Sequence, residues 1–243
     1  MSEICLSLVS HAQADLANSF LDDLGRYCHD IDIVVTSNIA EVSELDFSRW
    51  PRVKHLRNPA PKGFGANHNA AFKHCRAKYF CVANPDIRIH SNPFPDLLAV
   101  AQDSEVGVVA PKVLNASGGT EDSVRFFPTP LGIFRKALSI GDGRYPIEGV
   151  QPLPADWTAG MFLLFRAEAF DAIGGFDEKF FLYYEDVDVC TRLWKAGWKV
   201  MIHPGVSVVH VAQRTSRRNW RYLLWHLSSM IRYFSKHFGR LPR

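Results

Sequence analysis

Short apolar segments alternate with helical segments over the first 110 residues, and this alternation constrains the fold more than any other feature of the chain. Ile4–Val9 and Ile31–Val35 have the length and composition of strands, and Tyr79–Ala83 and Val106–Ala110 repeat the pattern. Strands that alternate with helices predict a parallel sheet covered on both faces. Because ligands bind such sheets at the carboxyl ends of the strands, we expect the functional residues there.

The rest of the chain is interpreted on the same periodicities. Residues 111–156 are rich in Gly, Pro, Ser and Asp and predict a long irregular excursion. Regular structure is expected to resume over Trp157–Arg166. Further helices are predicted at His11–Cys28, Gly65–Arg76, Phe94–Ala101, Val187–Ala196 and from Ala212 onward, and further strands at Val53–Leu56, Lys199–His203 and Val206–Val211.

Cysteine usage and hydropathy exclude several classes of protein. The five cysteines are scattered without a C-x-x-C pair, so neither a zinc ribbon nor a disulfide framework is expected. The N-terminal apolar run is short and lacks a basic region before it, so we predict no signal peptide. No stretch approaches the length of about 18 apolar residues that a membrane-spanning helix needs. We therefore expect a cytoplasmic protein.

Charge is divided unevenly along the chain. Residues 1–188 hold 17 basic and 25 acidic side chains, whereas residues 189–243 hold 11 basic and no acidic ones. In the basic tail, apolar residues follow helical spacing at Trp220, Leu223, Leu224, Leu227, Ile231 and Phe234. A basic amphipathic helix suits an anionic membrane surface. Docking onto the acidic body of the same chain is the second interpretation, and nucleic acid the third and least favoured.

Polar residues follow two of the predicted strands. Asn84-Pro85-Asp86 comes directly after Tyr79–Ala83, where a carboxylate is well placed to hold a divalent metal, although the same residues are typical of a turn. His210 lies at the end of the last predicted strand, where an imidazole can bind metal or a phosphate. Lys62–Asn69 contains glycines just before a helix, which indicates a polar loop near a ligand.

Four acids lie close to a dense aromatic run. They are Glu178, Glu185, Asp186 and Asp188, around the sequence FFLYY at residues 180–184. Aromatic neighbours would remove water from a carboxylate at a helix start, raise its pKa and make it a better base near neutral pH. Stabilisation of the positive helix end by acids is the alternative interpretation, and it accounts well for Asp188.

Together these motifs resemble family 2 of the glycosyltransferases, and within it the rhamnosyltransferase-like branch. The resemblance covers residues 4–216 and is carried best by Trp157–Arg166, Ile173–Glu178 and Glu185–Asp188 with Arg192. It implies an α/β fold of the GT-A type, with a Rossmann-like, mostly parallel central sheet flanked by helices. It also implies a glycosyltransferase domain at residues 1–211, followed by a basic amphipathic helical tail at residues 212–243.

The resemblance further implies the residues of a site. Asp186 would be the general base that deprotonates the acceptor hydroxyl, and Glu185 would share or support that role. Asp86 and His210 would hold a divalent cation, Mn²⁺ or Mg²⁺, on the donor diphosphate. Donor binding is expected at Ser10, Thr36, Asn38, Asn58, Lys62, Gly63, Gly65, Asn67, Asn84, Asp86 and Arg217, and acceptor binding at Trp157, Gly160 and Tyr184.

The function implied is that of an inverting glycosyltransferase. It would move L-rhamnose from dTDP-rhamnose to a hydroxyl of a cell-surface polysaccharide or lipid-linked glycan precursor. Two alternatives stay open: a UDP-hexose or UDP-N-acetylhexosamine donor on the same fold, and a non-catalytic protein that binds nucleotide sugars or glycans. Residues 212–243 would attach the protein peripherally to the inner face of the cell membrane, and we expect no nucleic-acid partner.

Overall fold

The computed structural model describes residues 2–50, 52–138, 143–211, 220–237 and 239–242. Its strands are β1 (Ile4–Ser10), β2 (Ile31–Ser37), β3 (Lys54–Arg57), β4 (Tyr79–Ala83), β5 (Ile87–Arg88), β6 (Val106–Asn115), β7 (Val124–Arg125), β8 (Leu153–Pro154), β9 (Trp157–Thr158), β10 (Phe162–Arg166) and β11 (Lys199–His210). Its helices are α1 (Ala14–Tyr27), α2 (Phe64–Phe72), α3 (Phe94–Ala101), α4 (Pro130–Ala137), α5 (Ala167–Ala172), α6 (Glu185–Lys195) and α7 (Trp220–His237).

A central sheet runs through the molecule in the order β3-β2-β1-β4-β10-β6-β11-β5. The β3-β2-β1-β4 half is parallel, as the alternation of strands and helices predicts. β11 is also parallel to β6, whereas β10 runs antiparallel to both β4 and β6. The expected α/β class with helices on both faces is therefore confirmed, and the carboxyl ends of β1, β2 and β4 share one edge.

The core lies on both faces of this sheet, because side chains of successive strand residues point to opposite sides. On one face Leu6 and Leu8 of β1 pack with Phe20 and Leu24 of α1. The other face contains an aromatic cluster, in which the ring centroids of Phe165 and Phe170 are 4.9 Å apart. Each fully buried side chain of this size contributes about 1.5–3 kcal/mol to folding.

Two predicted stretches differ from the structure. Lys199–His203 and Val206–Val211 were expected as separate strands, but β11 is continuous, with an irregular register between His203 and Ser207. Pro204 and Gly205 account for the irregularity, because neither suits the interior of a regular strand. Trp157–Arg166 was expected as one regular segment, yet it divides into β9 and β10 around a turn that contains Gly160.

The excursion at residues 111–156 is more ordered than its composition predicts. β6 continues to Asn115, and β7, α4 and β8 all lie within the segment. β7 pairs antiparallel with β9, which brings the excursion beside the turn at Gly160. The apolar side chains of Leu131 and Phe134 on α4 are exposed.

The basic tail forms α7, which packs against the body of the chain. Ser229, Tyr233 and His237 are buried on one face, and Tyr233 Oη lies 2.9 Å from Thr191 Oγ1 of α6. The predicted docking of the tail onto the body is therefore observed for this face of α7. The expected helix start at Ala212 lies outside the described residues, as does Arg217. The boundary between two parts at residue 211 stays a prediction.

Candidate active site

A strained turn delivers two acids to one point at the start of α6. Tyr183 and Tyr184 precede the helix with φ values of 69° and 65°, in the left-handed region that residues with side chains rarely adopt. Such strain costs of the order of 1–3 kcal/mol per residue and persists where the surroundings enforce it. The ring of His226 on α7 packs edge-on against both tyrosines, with centroid distances of 5.4 Å.

Asp186 accepts two backbone hydrogen bonds. The Gly160 N–H donates to Oδ2 over 3.2 Å, and the Val187 N–H donates to Oδ1 over 2.8 Å. Burial raises the pKa of Asp186 to about 6, although both backbone hydrogen bonds act in the opposite direction. A carboxylate with this pKa is ionised at neutral pH and still accepts a proton readily, which suits a general base.

Glu185 is more deeply buried than its neighbour. Its Oε2 atom is enclosed and has no hydrogen-bond partner among the described residues. Burial, followed by the nearby charge of Asp186, raises the pKa of Glu185 well above its usual value. Of the two acids, Glu185 therefore favours the protonated form, which leaves the negative charge on Asp186.

A second pair of groups lies where β4 and β11 end. His210 Nε2 is 3.1 Å from Asp86 Oδ2, and the Val211 N–H donates to the Asp86 carbonyl over 2.8 Å. Burial lowers the pKa of His210, but the hydrogen bond and the charge of Asp86 outweigh it and leave that pKa raised. Asp86 Oδ1 and His210 Nδ1 are both buried without a partner among the described atoms. An enclosed carboxylate oxygen of this kind fits a divalent cation.

The chain itself offers few metal ligands at this point. Within the described ranges, no group of three or more His, Cys, Asp or Glu side chains is placed to hold a metal ion. A site with one carboxylate and one imidazole suits Mg²⁺ or Mn²⁺ only where phosphate oxygens and water supply the other ligands. The pair at Asp86 and His210 therefore fits a cation that arrives with a diphosphate.

Backbone contacts connect the two pairs. The Asn84 N–H donates to the Met161 carbonyl over 3.0 Å, and Met161 directly follows Gly160, which binds Asp186. The antiparallel pairing of Phe162 with Ala83 maintains this contact. Asp86 and Asp186 thus lie on the two sides of one short junction between β4 and β10.

Three asparagines on the donor side tie loops together. Asn58 Nδ2 donates to Asn38 Oδ1 over 2.9 Å and to Asn67 Oδ1 over 2.6 Å. Asn38 Oδ1 also accepts from the Lys62 N–H over 2.8 Å, and its amide nitrogen lies 3.1 Å from His11 Nδ1. The structure therefore gives these side chains an organising role, and their contact with a donor stays a prediction.

The two glycines at the start of α2 are required by close packing. A Cβ at Gly63 would lie 2.6 Å from the Phe181 carbonyl oxygen, and a Cβ at Gly65 would lie 2.6 Å from Phe176 Cβ. The Phe64 N–H also donates to the Phe181 carbonyl over 3.0 Å. These contacts attach α2 to the loop before Asp186, and they explain both glycines without a ligand.

A cavity of about 870 Å³ opens beside the carboxyl ends of β2 and β3, and Ser37, Glu41, Arg57 and Asn58 are among its lining residues. Nearby, the Thr36 Oγ1 and both Glu41 carboxylate oxygens are buried without a partner in the described structure. The Ser10 hydroxyl is engaged, because its Oγ accepts from the Gln13 N–H over 3.1 Å. This edge of the sheet is where a doubly wound fold binds ligands.

Of the expected acceptor residues, Gly160 contacts Asp186, and Tyr184 and Trp157 pack close to the start and the side of α6. A Cβ at Gly160 would lie 3.1 Å from Phe64 Cζ. Tyr184 is half-buried and packs against Tyr233 of α7, with ring centroids 5.5 Å apart. The Trp157 Nε1–H donates to the Phe126 carbonyl over 3.0 Å, so that ring is held in place by the excursion.

Sequence reasoning missed the groups that fasten α7 to α6. The carboxylate of Asp188 is fully buried and lies 2.7 Å from Arg192 Nε, 2.7 Å from Lys236 Nζ and 2.8 Å from His237 Nε2. Burial would raise the pKa of Asp188, but the hydrogen bond from His237 and the cationic neighbours lower it to about 2. The only sequence signal was the uneven charge, with Asp188 as the last acid before a basic tail.

The chain shares sequence with known proteins. The family model described as "Glycosyltransferase like family 2" matches residues 29–225. The chain is 28% identical to rhamnosyltransferase WbbL of Escherichia coli, over 96% of this chain and 93% of that protein. It is 30% identical to N-acetylglucosaminyl-diphospho-decaprenol L-rhamnosyltransferase of Mycobacterium tuberculosis, over 74% of this chain and 66% of that protein.

Solved structures share the fold at low sequence identity. A crystal structure of GalNAc-T7 with UDP, GalNAc and Mn²⁺ superposes with a TM-score of 0.72 at 14% identity, over 97% of this chain and 48% of that chain. Mannosyltransferase PcManGT from Pyrobaculum calidifontis, in complex with GDP-Man and Mn²⁺, superposes with a TM-score of 0.64 at 16% identity. The match covers 95% of this chain and 64% of that chain. The chain therefore spans about half to two thirds of these structures, and the likeness concerns the fold alone.

Proposed function

This chain belongs to the glycosyltransferase-like family 2 and is a glycosyltransferase, and on that premise we propose that it transfers a sugar with inversion from a nucleotide-sugar donor to an acceptor hydroxyl. One observation supports the proposal above the others. Asp186, with a pKa of about 6, is joined through Gly160, Met161 and Asn84 to the pair formed by Asp86 and His210. A base and a diphosphate site would thereby be held at one junction.

The base side would act on the acceptor. The acceptor oxygen attacks the anomeric carbon, the bond from that carbon to the diphosphate oxygen breaks, and the hydroxyl proton passes to a carboxylate oxygen of Asp186. Attack opposite the departing group inverts the configuration. Protonated Glu185 keeps the negative charge on Asp186, and the Gly160 N–H orients the carboxylate. The strained turn at Tyr184 would present the helix start to the acceptor.

The donor side would hold the departing diphosphate. Asp86 and His210 would bind a divalent cation, which when bound neutralises charge on the leaving diphosphate. One solved neighbour contains UDP, GalNAc and Mn²⁺ and the other is in complex with GDP-Man and Mn²⁺, which supports a cation of this kind here. The unpartnered Asp86 Oδ1 is the oxygen that would face it. The cavity at Ser37 and Asn58 would accept the nucleoside, and Arg217, outside the described residues, would approach the phosphates.

The identities of donor and acceptor are inferred from the relatives. Two of them carry rhamnosyltransferase names, and one acts on a decaprenol diphosphate, so dTDP-rhamnose and a lipid-linked glycan precursor are proposed for this chain. A UDP-hexose or UDP-N-acetylhexosamine donor is the alternative. With such an acceptor, the protein would work in the cytoplasm, peripherally at the inner face of the cell membrane.

A transfer assay tests the proposal. The purified chain is incubated with Mn²⁺, a lipid-linked N-acetylglucosaminyl diphosphate acceptor, and dTDP-rhamnose, UDP-glucose or UDP-N-acetylglucosamine in turn. The expected result is a product with inverted anomeric configuration from dTDP-rhamnose, formed about 10²–10⁴-fold more slowly when Asp186 is replaced by asparagine. Asp171→Asn, a carboxylate on α5, is the matched control and should keep full activity. Nucleotide binding without turnover across the whole panel would favour a binding protein instead.

A further inference from the structure

Exposed large apolar side chains are concentrated on two helices. Those on or just after α4 are Leu131, Phe134 and Leu138, and those on α7 are Trp220, Leu223, Leu224, Leu227 and Ile231. We call these eight side chains the apolar surface. Solitary exposed apolar residues need no explanation, but a contiguous group on a helix face marks a contact with a partner or a membrane. No helix among the described residues is long and apolar enough to span a bilayer.

The exposed stripe of α7 is separate from its docking face. At about 100° per residue, the five apolar residues centre on one direction of the helix, and Ser229, Tyr233 and His237 centre on a direction about 140° away. The second face is held by Thr191 and Asp188 of α6, and the Ser229 hydroxyl donates to the Leu182 carbonyl over 2.9 Å. α7 is thus fastened to the body by polar contacts, while its most apolar face points away from the body.

α4 presents a second exposed apolar stripe. Leu131, Phe134 and Leu138 follow the i, i+3, i+7 spacing of one helix face. The segment before α4 is attached to α7, because Phe127 belongs to the cluster that contains Tyr233, Phe234 and Leu241. The Phe127 N–H donates to Asp156 Oδ2 over 2.8 Å. The segment that leads into α4 therefore packs with the C-terminal part of α7, next to Tyr184 of the base side.

The charge of both helices selects the partner. Neither α4 nor α7 contains an acidic residue, and the basic residues Arg135, Arg221, Arg232 and Arg240 lie on or next to them. Trp and Leu on one face with Lys and Arg beside it are typical of helices that lie in the plane of a membrane interface. A bilayer that contains anionic lipids complements both properties, and each cation near it adds to binding.

We propose that the apolar surface on α4 and α7 lies in the interface of an anionic bilayer and holds the acceptor side of the active site against it. The orientation rests on the proposed function, because only a lipid-linked acceptor requires the base to face the membrane. The binding of the apolar surface to the bilayer does not depend on the proposed function. Binding to the bilayer would then require the side chains of both helices, those of α4 as well as those of α7.

Vesicle flotation tests the proposal with the full chain. Wild-type protein should float with vesicles of phosphatidylcholine and phosphatidylglycerol, and added salt should weaken that binding. Two double variants, Leu131→Ser with Phe134→Ser and Leu224→Ser with Leu227→Ser, should each lower the partition coefficient by about tenfold or more, because each removes two interfacial side chains. The matched control is Val42→Ser with Val150→Ser, which changes exposed apolar residues outside both helices and should bind as the wild type does.

Several results would overturn the proposal. The first is that wild-type protein does not bind anionic vesicles. The second is that the α4 double variant binds them as the wild type does. The third is that wild-type protein forms dimers and that both double variants are monomeric. Failure of the proposed function is distinguishable. All variants should keep wild-type thermal stability and turnover with a short-chain, water-soluble acceptor. Absence of turnover in the wild type with that acceptor would contradict the transferase assignment and leave the vesicle result intact.

Discussion

Replacement of Asp186 by asparagine is the most informative single perturbation of the site. The substitution keeps the shape of the side chain and an oxygen that can accept the Gly160 N–H, whose donor lies 3.2 Å from Oδ2 in the wild type. It removes the ability to accept a proton. A positioned general base contributes about 10²–10⁴-fold to rate, so kcat should fall by that factor. The affinity for the donor nucleotide should stay within about twofold, because the donor side is formed by other residues.

The pKa gives a second magnitude for the same variant. With a pKa of about 6, Asp186 is roughly nine-tenths ionised at pH 7 and one-tenth at pH 5, so wild-type kcat/KM should fall about tenfold between them. Folding raises this pKa from the ordinary 3.8, so the protonated form of Asp186 favours the native state. That contribution to stability is complete below pH 4 and is lost as the pH rises through 6. At pH 7 the asparagine variant should therefore gain at most about 3 kcal/mol.

The assays are steady-state transfer across pH 5–8 and denaturant unfolding at pH 7. We expect the variant to lose its turnover by the factor given above and to keep its affinity for the nucleotide. Its free energy of unfolding should be at least that of the wild type. A variant that keeps its turnover would refute the assignment of the base. A variant that loses activity together with stability or nucleotide binding would show that Asp186 acts through the structure of the α6 start.

Three further changes test other parts of the account. Asp188→Asn should lower the free energy of unfolding by about 3 kcal/mol at pH 7, because its cationic partners lose the opposing carboxylate charge. That cost should shrink as the pH falls from about 4 towards 2, and urea titrations at several pH values measure it. Gly65→Ala should destabilise the native state by about 1–3 kcal/mol, because the added Cβ would lie 2.6 Å from Phe176 Cβ. Gly25→Ala should stabilise it by about 0.5–1 kcal/mol, because the nearest atom to its added Cβ is 3.5 Å away, and thermal unfolding measures both changes. Asp86→Ala should abolish the Mn²⁺-dependent part of nucleotide binding in calorimetry; an unchanged metal dependence would move the cation elsewhere.

The parallel half of the sheet could be predicted because its strands are short, continuous apolar runs separated by helices. The direction of β10 could not, because Phe162–Arg166 is apolar throughout and nothing in such a run specifies which way it points. The position of Asp186 was predictable, since an acid directly after an aromatic run at a helix start must lose water. The resemblance supplied its role.

The docking face of α7 was the least predictable feature of the fold. Hydrophobic spacing selects Trp220, Leu224 and Leu227 as the face to bury, yet the buried face contains Ser229, Tyr233 and His237. Those polar groups are satisfied by Leu182, Thr191 and Asp188, which lie 42–49 residues away in the chain. Partners at that separation leave no local pattern in a sequence, so only the reversal of charge after Asp188 indicated an attachment.

The central claim is that Asp86 and His210 hold a nucleoside diphosphate together with a divalent cation beside the base. The measurement that tests it most directly is the thermal unfolding of wild-type protein with dTDP, UDP or GDP, each with and without Mn²⁺, since a ligand of the native state raises the midpoint by mass action. The account predicts a rise with dTDP that requires Mn²⁺ and is lost in Asp86→Ala. No rise with any nucleotide, with or without the metal, would contradict it.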